Sequence, residues 1–390
     1  MVKWLEKTLG EVTAFIAKGI PPKYTEEENE NTIRVLNQKC NRNFEISYNE
    51  SRIHDCEKKK VPVDKMLRAG DVLINSTGTG TAGRVAQMVE VTVPTTIDGH
   101  MILIRPSEEL DPIYYGYAVK SFQSQIEGLA EGSTGQTEIN RRRLQDEVII
   151  RYPSDKLVQK NIGSFLANID EKIKTNKEIN KNLEQQAQTI YQQMFVDNAS
   201  SDWAEGTLSD IADITMGQSP SGSSYNEDGN GTIFFQGRAE FGFRFPTVRL
   251  YTTEPKRIAC ANDTLMSVRA PVGDLNVAHT DCCIGRGLAA IHSKNNHQSF
   301  VLYTMLSLKK QLDVFNGEGT VFGSINRNSL NEMPLLIPSS KMLDEFEILV
   351  APIDAAIRNN YDEICRLEQL RNTLLQKLMS GELDVSNIDL

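Results

Sequence analysis

No stretch of this chain approaches the roughly 18 consecutive apolar residues that a membrane span needs, and none of its 6 cysteines sits in a C-x-x-C pair. Cys40, Cys56, Cys260, Cys282, Cys283 and Cys365 lie far apart or side by side. That spacing argues against a zinc site or a disulfide framework and for reduced thiols in a cytoplasmic protein. The first residues, MVKWLEKTLGEV, carry two acidic side chains where a signal peptide has its apolar centre, so no secretory signal is expected. There is no G-x-x-x-x-G-K-[ST], hence no P-loop for ATP. There is no Asn-Pro-Pro-aromatic tetrapeptide of the kind an amino-methyltransferase carries. His54, His100, His279, His292 and His297 show no metal-ligand spacing. No catalytic residue, metal site or cofactor of its own is expected.

One glycine motif needs a separate decision. Gly78-Thr79-Gly80-Thr81-Ala82-Gly83 matches G-x-G-x-x-G after a strand-like segment, DVLINS. A dinucleotide site requires that turn to open a helix whose N-terminus meets the pyrophosphate. Here RVAQMVEVTVP follows, which is strand-like, and the equivalent second position, Val268–Gly273, lacks the pattern. A turn-rich polar loop is the reading that fits.

Positive charge is also short, at 42 Lys and Arg against 52 Asp and Glu. The deficit is uneven. Residues 1–153 hold 20 basic and 22 acidic side chains, residues 203–338 hold 11 and 13, and residues 339–390 hold 5 and 10. Half of the net −10 therefore sits on the last segment. Two nearly balanced domains remain compatible with nucleic acid, because a local basic face matters more than the sum.

What the chain does have is an internal repeat. Residues 169–194, IDEKIKTNKEINKNLEQQAQTIYQQM, reappear shifted by 184 positions as IDAAIRNNYDEICRLEQLRNTLLQKL at 353–378, with nine identities. Upstream, INRRRLQDEVIIRYPSDK (139–156) matches INRNSLNEMPLLIPSSK (325–341), and TLGEV at residue 8 matches TLSDI at residue 207. The frame is duplicated and the interiors have diverged. The expected order is a globular domain (1–153), a helix (154–202), a second globular domain (203–338) and a second helix (339–390). Strand-like runs such as DVLINS, HMILIRP, TIFFQG and GLAAIHS, with one helical stretch late in each interior, predict two α+β domains of one plan.

The helices carry a heptad seam. In the first copy it runs through Ile169, Ile173, Asn176, Asn180 and Leu183; in the second, through Ile353, Ile357, Asn360, Ile364, Leu367 and Arg371. Packed as an antiparallel coiled coil, the seams are centred with Leu183 facing Ile364 and Asn176 facing Arg371, with slips of one heptad as the alternative. Each helix follows Pro-Ser (Pro153-Ser154, Pro338-Ser339), a strand stop with an N-cap oxygen. Pro352 predicts a kink or a fresh helix start.

The polar loops are the remaining chemistry. In the first domain they group as Asn37, Gln38, Lys39, Arg42 and Asn43; then Ser76, Thr77, Thr79 and Arg84; then Gln136 with Arg141 and Arg142. Counterparts in the second are Gln236 and Arg238, Ser267 and Arg269, Arg286, and Asn326 with Arg327, to which Ser219 is added. Arg, Asn and Gln read guanine and adenine edges bidentately; Ser, Thr, Lys and loop amides suit phosphates. For any one of these residues a solvated loop is the competing account.

The ordered set VLNQKCNRN (35–43), GDVLINSTGTGTAGRVA (70–86), GSTGQTEI (132–139), the paired ID-x-x-I-x-x-N helices and LLQKLMSGEL (374–383) resembles the specificity subunits of type I restriction-modification systems, across almost the whole chain. The resemblance implies a noncatalytic, cytoplasmic host-defence subunit that binds double-stranded DNA. Each globular segment would be a target-recognition domain for half of a bipartite, asymmetric site. Each helix would be a spacer docking the DNA methyltransferase subunits, two of them, beside a restriction/translocase subunit. S-adenosylmethionine, ATP and Mg would belong to those partners. Two other classes stay open at this point: a non-enzymatic coiled-coil adaptor, and the DNA-recognition part of a fused restriction-methylation enzyme. Arg371 and the asparagines of the first copy make the seams more polar than a typical spacer.

Overall fold

The computed structural model describes residues 3–132, 137–317 and 323–383. The chain divides into two compact units, Met1–Thr175 with Glu363–Leu390, and Asn176–Asp362. Both boundaries fall inside long helices, so each unit holds one α+β domain and a segment of each helix.

In the first unit, short strands build two four-stranded sheets. One is antiparallel throughout, in the order Thr13–Lys18, Met101–Pro106, Val72–Asn75, Val85–Gln87. The other runs Thr95–Ile97, Thr32–Leu36, Arg52–Asp55, Tyr24–Thr25, its first pair parallel. Trp4–Thr8 and Ile149–Pro153 close the domain as an antiparallel pair. The stretch RVAQMVEVTV is strand only at Val85–Gln87; beyond it the chain turns away, with Val89 exposed. Helix α1 (Pro112–Ser121) starts at Asp111, whose carboxylate accepts from the amides of Ile113 and Tyr114, with Pro112 in the first turn. α1, α2 (Gln123–Gly128) and α3 (Arg141–Glu147) follow, and Tyr114, Tyr115 and Tyr152 are fully buried.

The second unit repeats the plan. Ala212–Met216, Leu288–Ser293, Thr264–Ser267 and Leu275–Val277 form the antiparallel four-stranded sheet. Thr232–Phe235 pairs in parallel with Cys282–Ile284 inside a five-stranded sheet, and Ala204–Thr207 with Pro334–Ile337 closes the domain.

Helix α4 spans Lys156–Tyr191. After it come α5 (Leu208–Ile211), α6 (Gln298–Ser307), α7 (Lys309–Asp313), α8 (Arg327–Asn331) and α9 (Ser340–Met379). Two local expectations are corrected, at the start of α4 and at Pro352 of α9, and one is met, at Ser339. α4 is capped by Asp155, which accepts from Leu157 N at 2.8 Å, rather than by Ser154. Ser339 does cap α9, accepting from Met342 N. α9 runs through Pro352 as one helix; the carbonyl that loses its partner belongs to Ile348, a solvent-facing residue, so water can satisfy it.

Within each unit the helix segments run antiparallel, and the seam sits about one heptad from the centred register. In the first unit Arg371 donates to Asp170 at 2.6 Å, Lys172 pairs with Glu363, and Ile169, Ile173 and Ile364 share a cluster with Leu367. In the second, Asn360 Nδ2 donates to Asn180 Oδ1 at 2.8 Å, and Asn180 Nδ2 to the carbonyl of Ile357 at 3.1 Å. Leu183 and Ile353 pack on that unit's own core, while Asn176 is buried. The slip pairs Arg371 with a carboxylate instead of an amide and sets asparagine against asparagine, so buried polar groups find partners.

Both domains grip their helices through the aspartate of the repeated Ile-Asp step. Tyr117 of α1 donates to Asp170 at 2.6 Å, and Tyr303 of α6 donates to Asp354 at 2.9 Å. A cation completes each contact. Arg371 does so in the first unit; in the second it is Arg244, whose buried guanidinium also reaches Glu184 at 3.2 Å.

Candidate nucleic-acid interface

Two buried asparagines assemble the first domain's loops. Asn41 Nδ2 donates to the carbonyl of Arg84 at 2.9 Å and to Asn75 Oδ1 at 3.2 Å, and Asn75 Nδ2 donates to the carbonyl of Gln38 at 3.1 Å. The segment around residues 38–41 is thereby tied to both ends of the glycine loop. The tie sets a cleft of about 690 Å³ lined in part by Arg42, Asn43, Gly78, Gly80, Arg84 and Thr137. Beside it, Asn37, Gln38 and Lys39 line a smaller one of about 310 Å³ with Arg52, Asp98 and His100. Thr77 Oγ1 meets His100 Nδ1 at 2.9 Å, and burial pushes the Asp98 carboxyl up. The glycine motif connects two antiparallel strands, with Ile74 opposite Val85, and opens no helix. Thr77 bridges to Glu138, which brings the segment after residue 136 alongside.

Not every candidate points outward. Lys39, Arg42, Asn43, Thr79, Arg141 and Arg142 are exposed. Arg84 is half-buried, donating to the carbonyl of Gly80 at 3.0 Å. Asn37 is spent on its own turn, bonding Lys39 N and the carbonyl of Glu50. Ser76 is a correction: it is fully buried and presents nothing to a ligand. Gln136 lies outside the described residues.

The second domain repeats the bridge between its two loops. Arg269 bridges to Ser324, and Ala270 N donates to the carbonyl of Gly323 at 3.0 Å, again setting the two loops side by side. Gln236, Arg238, Arg269, Arg286 and Arg327 are exposed, with Arg238 paired to Asp274 at 2.5 Å. Ser219 accepts from Arg286 N. Ser267 is the second correction. Its buried hydroxyl donates to the carbonyl of Pro271 at 2.7 Å and accepts from Asp274 N at 2.9 Å, stapling the turn that carries Arg269. Asn326 caps α8 through Ser329 N, as Asn140 caps α3 through Arg142 N. Arg52 and His100 were not among the candidates. The outward alternation of Arg52 on its strand was the available signal; for His100 there was none.

One cation lies beneath the turn that joins Asn41–Arg42 to Glu45–Ile46. Lys120 of α1 is half-buried with its ammonium out of solvent, and that burial pulls it down to about 8 against the opposing pull of Asp170. The unfolded chain keeps the ordinary value near 10.5, so between about pH 8 and 10.5 the folded state binds fewer protons. This group's contribution to stability therefore rises with pH across that window and is lost as pH falls through the folded value. Lys120→Met should raise stability at pH 7 by about 1–3 kcal/mol. It should also flatten the stability profile between pH 8 and 10; urea unfolding at both ends checks the sign.

Among the described residues no group of three or more His, Cys, Asp and Glu is placed to hold a metal ion. No helix there is long and apolar enough to cross a membrane.

Residues 1–185 and 200–360 match the family model described as the type I restriction modification DNA specificity domain. A Methanocaldococcus jannaschii protein named as type I restriction enzyme MjaX specificity subunit is 31% identical over 306 residues, 73% of this chain and 72% of its own. The MjaIX specificity subunit of the same organism is 25% identical over 310 residues, covering 71% and 69%. The crystal structure of a type I restriction-modification S subunit from M. genitalium shares the fold, with a TM-score of 0.61 at 18% identity over 97% of this chain and 96% of that one.

Proposed function

Because the chain belongs to the type I restriction-modification DNA specificity family, we propose that it reads a bipartite, asymmetric double-stranded DNA target, one half-site per domain, and docks methyltransferase subunits along α4 and α9. The observation that carries this reading is the pair of equivalent loop clusters. Both domains set an arginine-bearing turn beside a second polar loop through one backbone bridge, Thr77 to Glu138 and Arg269 to Ser324. The side chains on the two frames differ: Arg42, Asn43 and Arg84 in one, Arg238, Arg269 and Arg286 in the other. One scaffold with unlike readers suits two unlike half-sites.

Docking is supported by apolar side chains that the long helices leave in solvent, among them Ile179, Ile348, Leu349 and Leu370. Two methyltransferase subunits, with S-adenosylmethionine, and a restriction/translocase subunit, with ATP and Mg, would supply the chemistry in the cytoplasm. This chain would supply only the address. Methylation-sensitive long-read sequencing of cells expressing the chain with its methyltransferase partner should show a split motif with unlike halves. A continuous or perfectly palindromic motif would refute the reading.

A further inference from the structure

A line of contacts inside the first unit leads from the tip of a reading hairpin to the helix pair. The hairpin pairs Asn41–Arg42 with Glu45–Ile46, and its tip residues Asn43 and Phe44 both have positive φ, 54° and 65°. A two-residue hairpin loop takes positive φ at both positions, which suits Asn43, whereas the second normally falls to glycine and the bulky Phe44 needs its packing to hold it there. Arg42 and Asn43 face the larger cleft. Phe44 faces inward, its ring 5.2 Å from that of Tyr117, with Lys120 Nζ 3.9 Å from the ring centre.

Lys120 Nζ is buried and makes no hydrogen bond among the described residues. Its ion-pair partner, Asp170 of α4, lies 3.9 Å away and is shared with Tyr117 and Arg371. Glu45 of the hairpin and Glu368 of α9 also act on it electrostatically. A buried ammonium without a hydrogen bond is a costly feature, and the ring of Phe44 is what it holds. In the second domain the residue three after Tyr303 is Leu306, so α6 has no such cation.

We infer that Lys120 and Phe44 are positioning residues for the first half-site: the ammonium, tied to the helix pair through Asp170, pins the Phe44 ring and thereby fixes Arg42 and Asn43 at the face that meets DNA. This rests on the half-site reading proposed above, and the test separates the two. The chain is assembled with its methyltransferase partner, and binding is measured to the cognate duplex and to duplexes with one base changed in either half. The first domain's half-site is the one that changes when residues 1–153 are exchanged for those of a relative. If the unaltered complex does not discriminate at both halves, the half-site reading fails. Given that it does, Lys120→Met and Phe44→Leu should each lower discrimination about tenfold at the first half-site and leave the second unchanged. Lys120→Met should do so while being at least as stable as the parent, which loss of folding cannot mimic; Phe44→Leu decides the matter if that variant does not fold. Full discrimination at the first half-site in both variants, or equal losses at both half-sites, would overturn the inference.

Discussion

Arg244→Ala is expected to destabilise the second unit by about 3–5 kcal/mol, the cost of breaking a buried ion pair from one side. The Arg244 side chain is only 5% exposed and carries three contacts at once: Glu184 at 3.2 Å, the carboxylate of Asp354, and the hydroxyl of Tyr303 at 3.1 Å. Burial already pushes the Glu184 carboxyl up, and Asp354 adds to that push. Without the guanidinium, two carboxylates in one poorly solvated place would repel each other and lack a counter-ion. The expected urea midpoint falls accordingly. Arg244→Met combined with Glu184→Gln and Asp354→Asn should regain most of the loss, because the charges then leave together. Arg142→Ala removes an i,i+4 pair whose arginine is 91% exposed, and it should change stability by less than about 0.5 kcal/mol. If Arg244→Ala behaved like Arg142→Ala, the cluster would not hold the domain to its helices.

The second large effect is expected in the glycine loop, where neighbouring glycines should respond very differently. At Gly83, φ is +88° and a Cβ would stand 2.6 Å from Glu127 Cα and 2.7 Å from Glu127 N. Gly83→Ala therefore meets left-handed backbone strain and a clash with the main chain of α2. Together these predict a loss of about 2–5 kcal/mol. At Gly80, φ is +70° but nothing lies within 4 Å, so Gly80→Ala should cost only about 1–2 kcal/mol, the conformational term. Lifting the loop off α2 also moves Arg84 and one wall of the larger cleft. Gly83→Ala should consequently weaken base discrimination at one half-site and spare the other. Thermal unfolding and mismatch binding on the two alanine variants give the comparison; equal behaviour of Gly80 and Gly83 would show that the α2 contact does not shape the loop.

The duplicated plan was legible because repetition is a pattern in one dimension: Ile169 and Ile353 announce each other at a fixed offset. So was the character of residues 78–83, since valines after a glycine turn extend rather than coil. What failed was anything decided by burial. Ser76 follows the last residue of one buried strand and Ser267 ends the equivalent strand. A count of polar side chains scores both as readers, whereas these strands lie inside their sheets and both serines are buried. The Tyr117–Asp170 and Tyr303–Asp354 contacts join residues about fifty positions apart across different elements. No helical or strand period reaches that far. The seam residues could be found, yet their register could not, because heptads slide in whole steps and only partner chemistry selects among them. Arg371 against Asp170, with Asn360 against Asn180, made that selection.

The mid-helix boundaries of the two units have a consequence for synthesis. The second unit is one uninterrupted stretch, Asn176–Asp362, whereas the first needs Glu363–Leu390 as well as Met1–Thr175. Leu375, Leu378 and Met379 are buried in the core of that first unit. A ribosome therefore releases the later-written unit in a form able to fold while the earlier-written one still lacks part of its interior. Until the last helix turns emerge, the amino-terminal domain lacks those three side chains in its core and the apolar surface they cover stays open. A premature stop near the carboxyl end would accordingly injure the opposite end of the polypeptide.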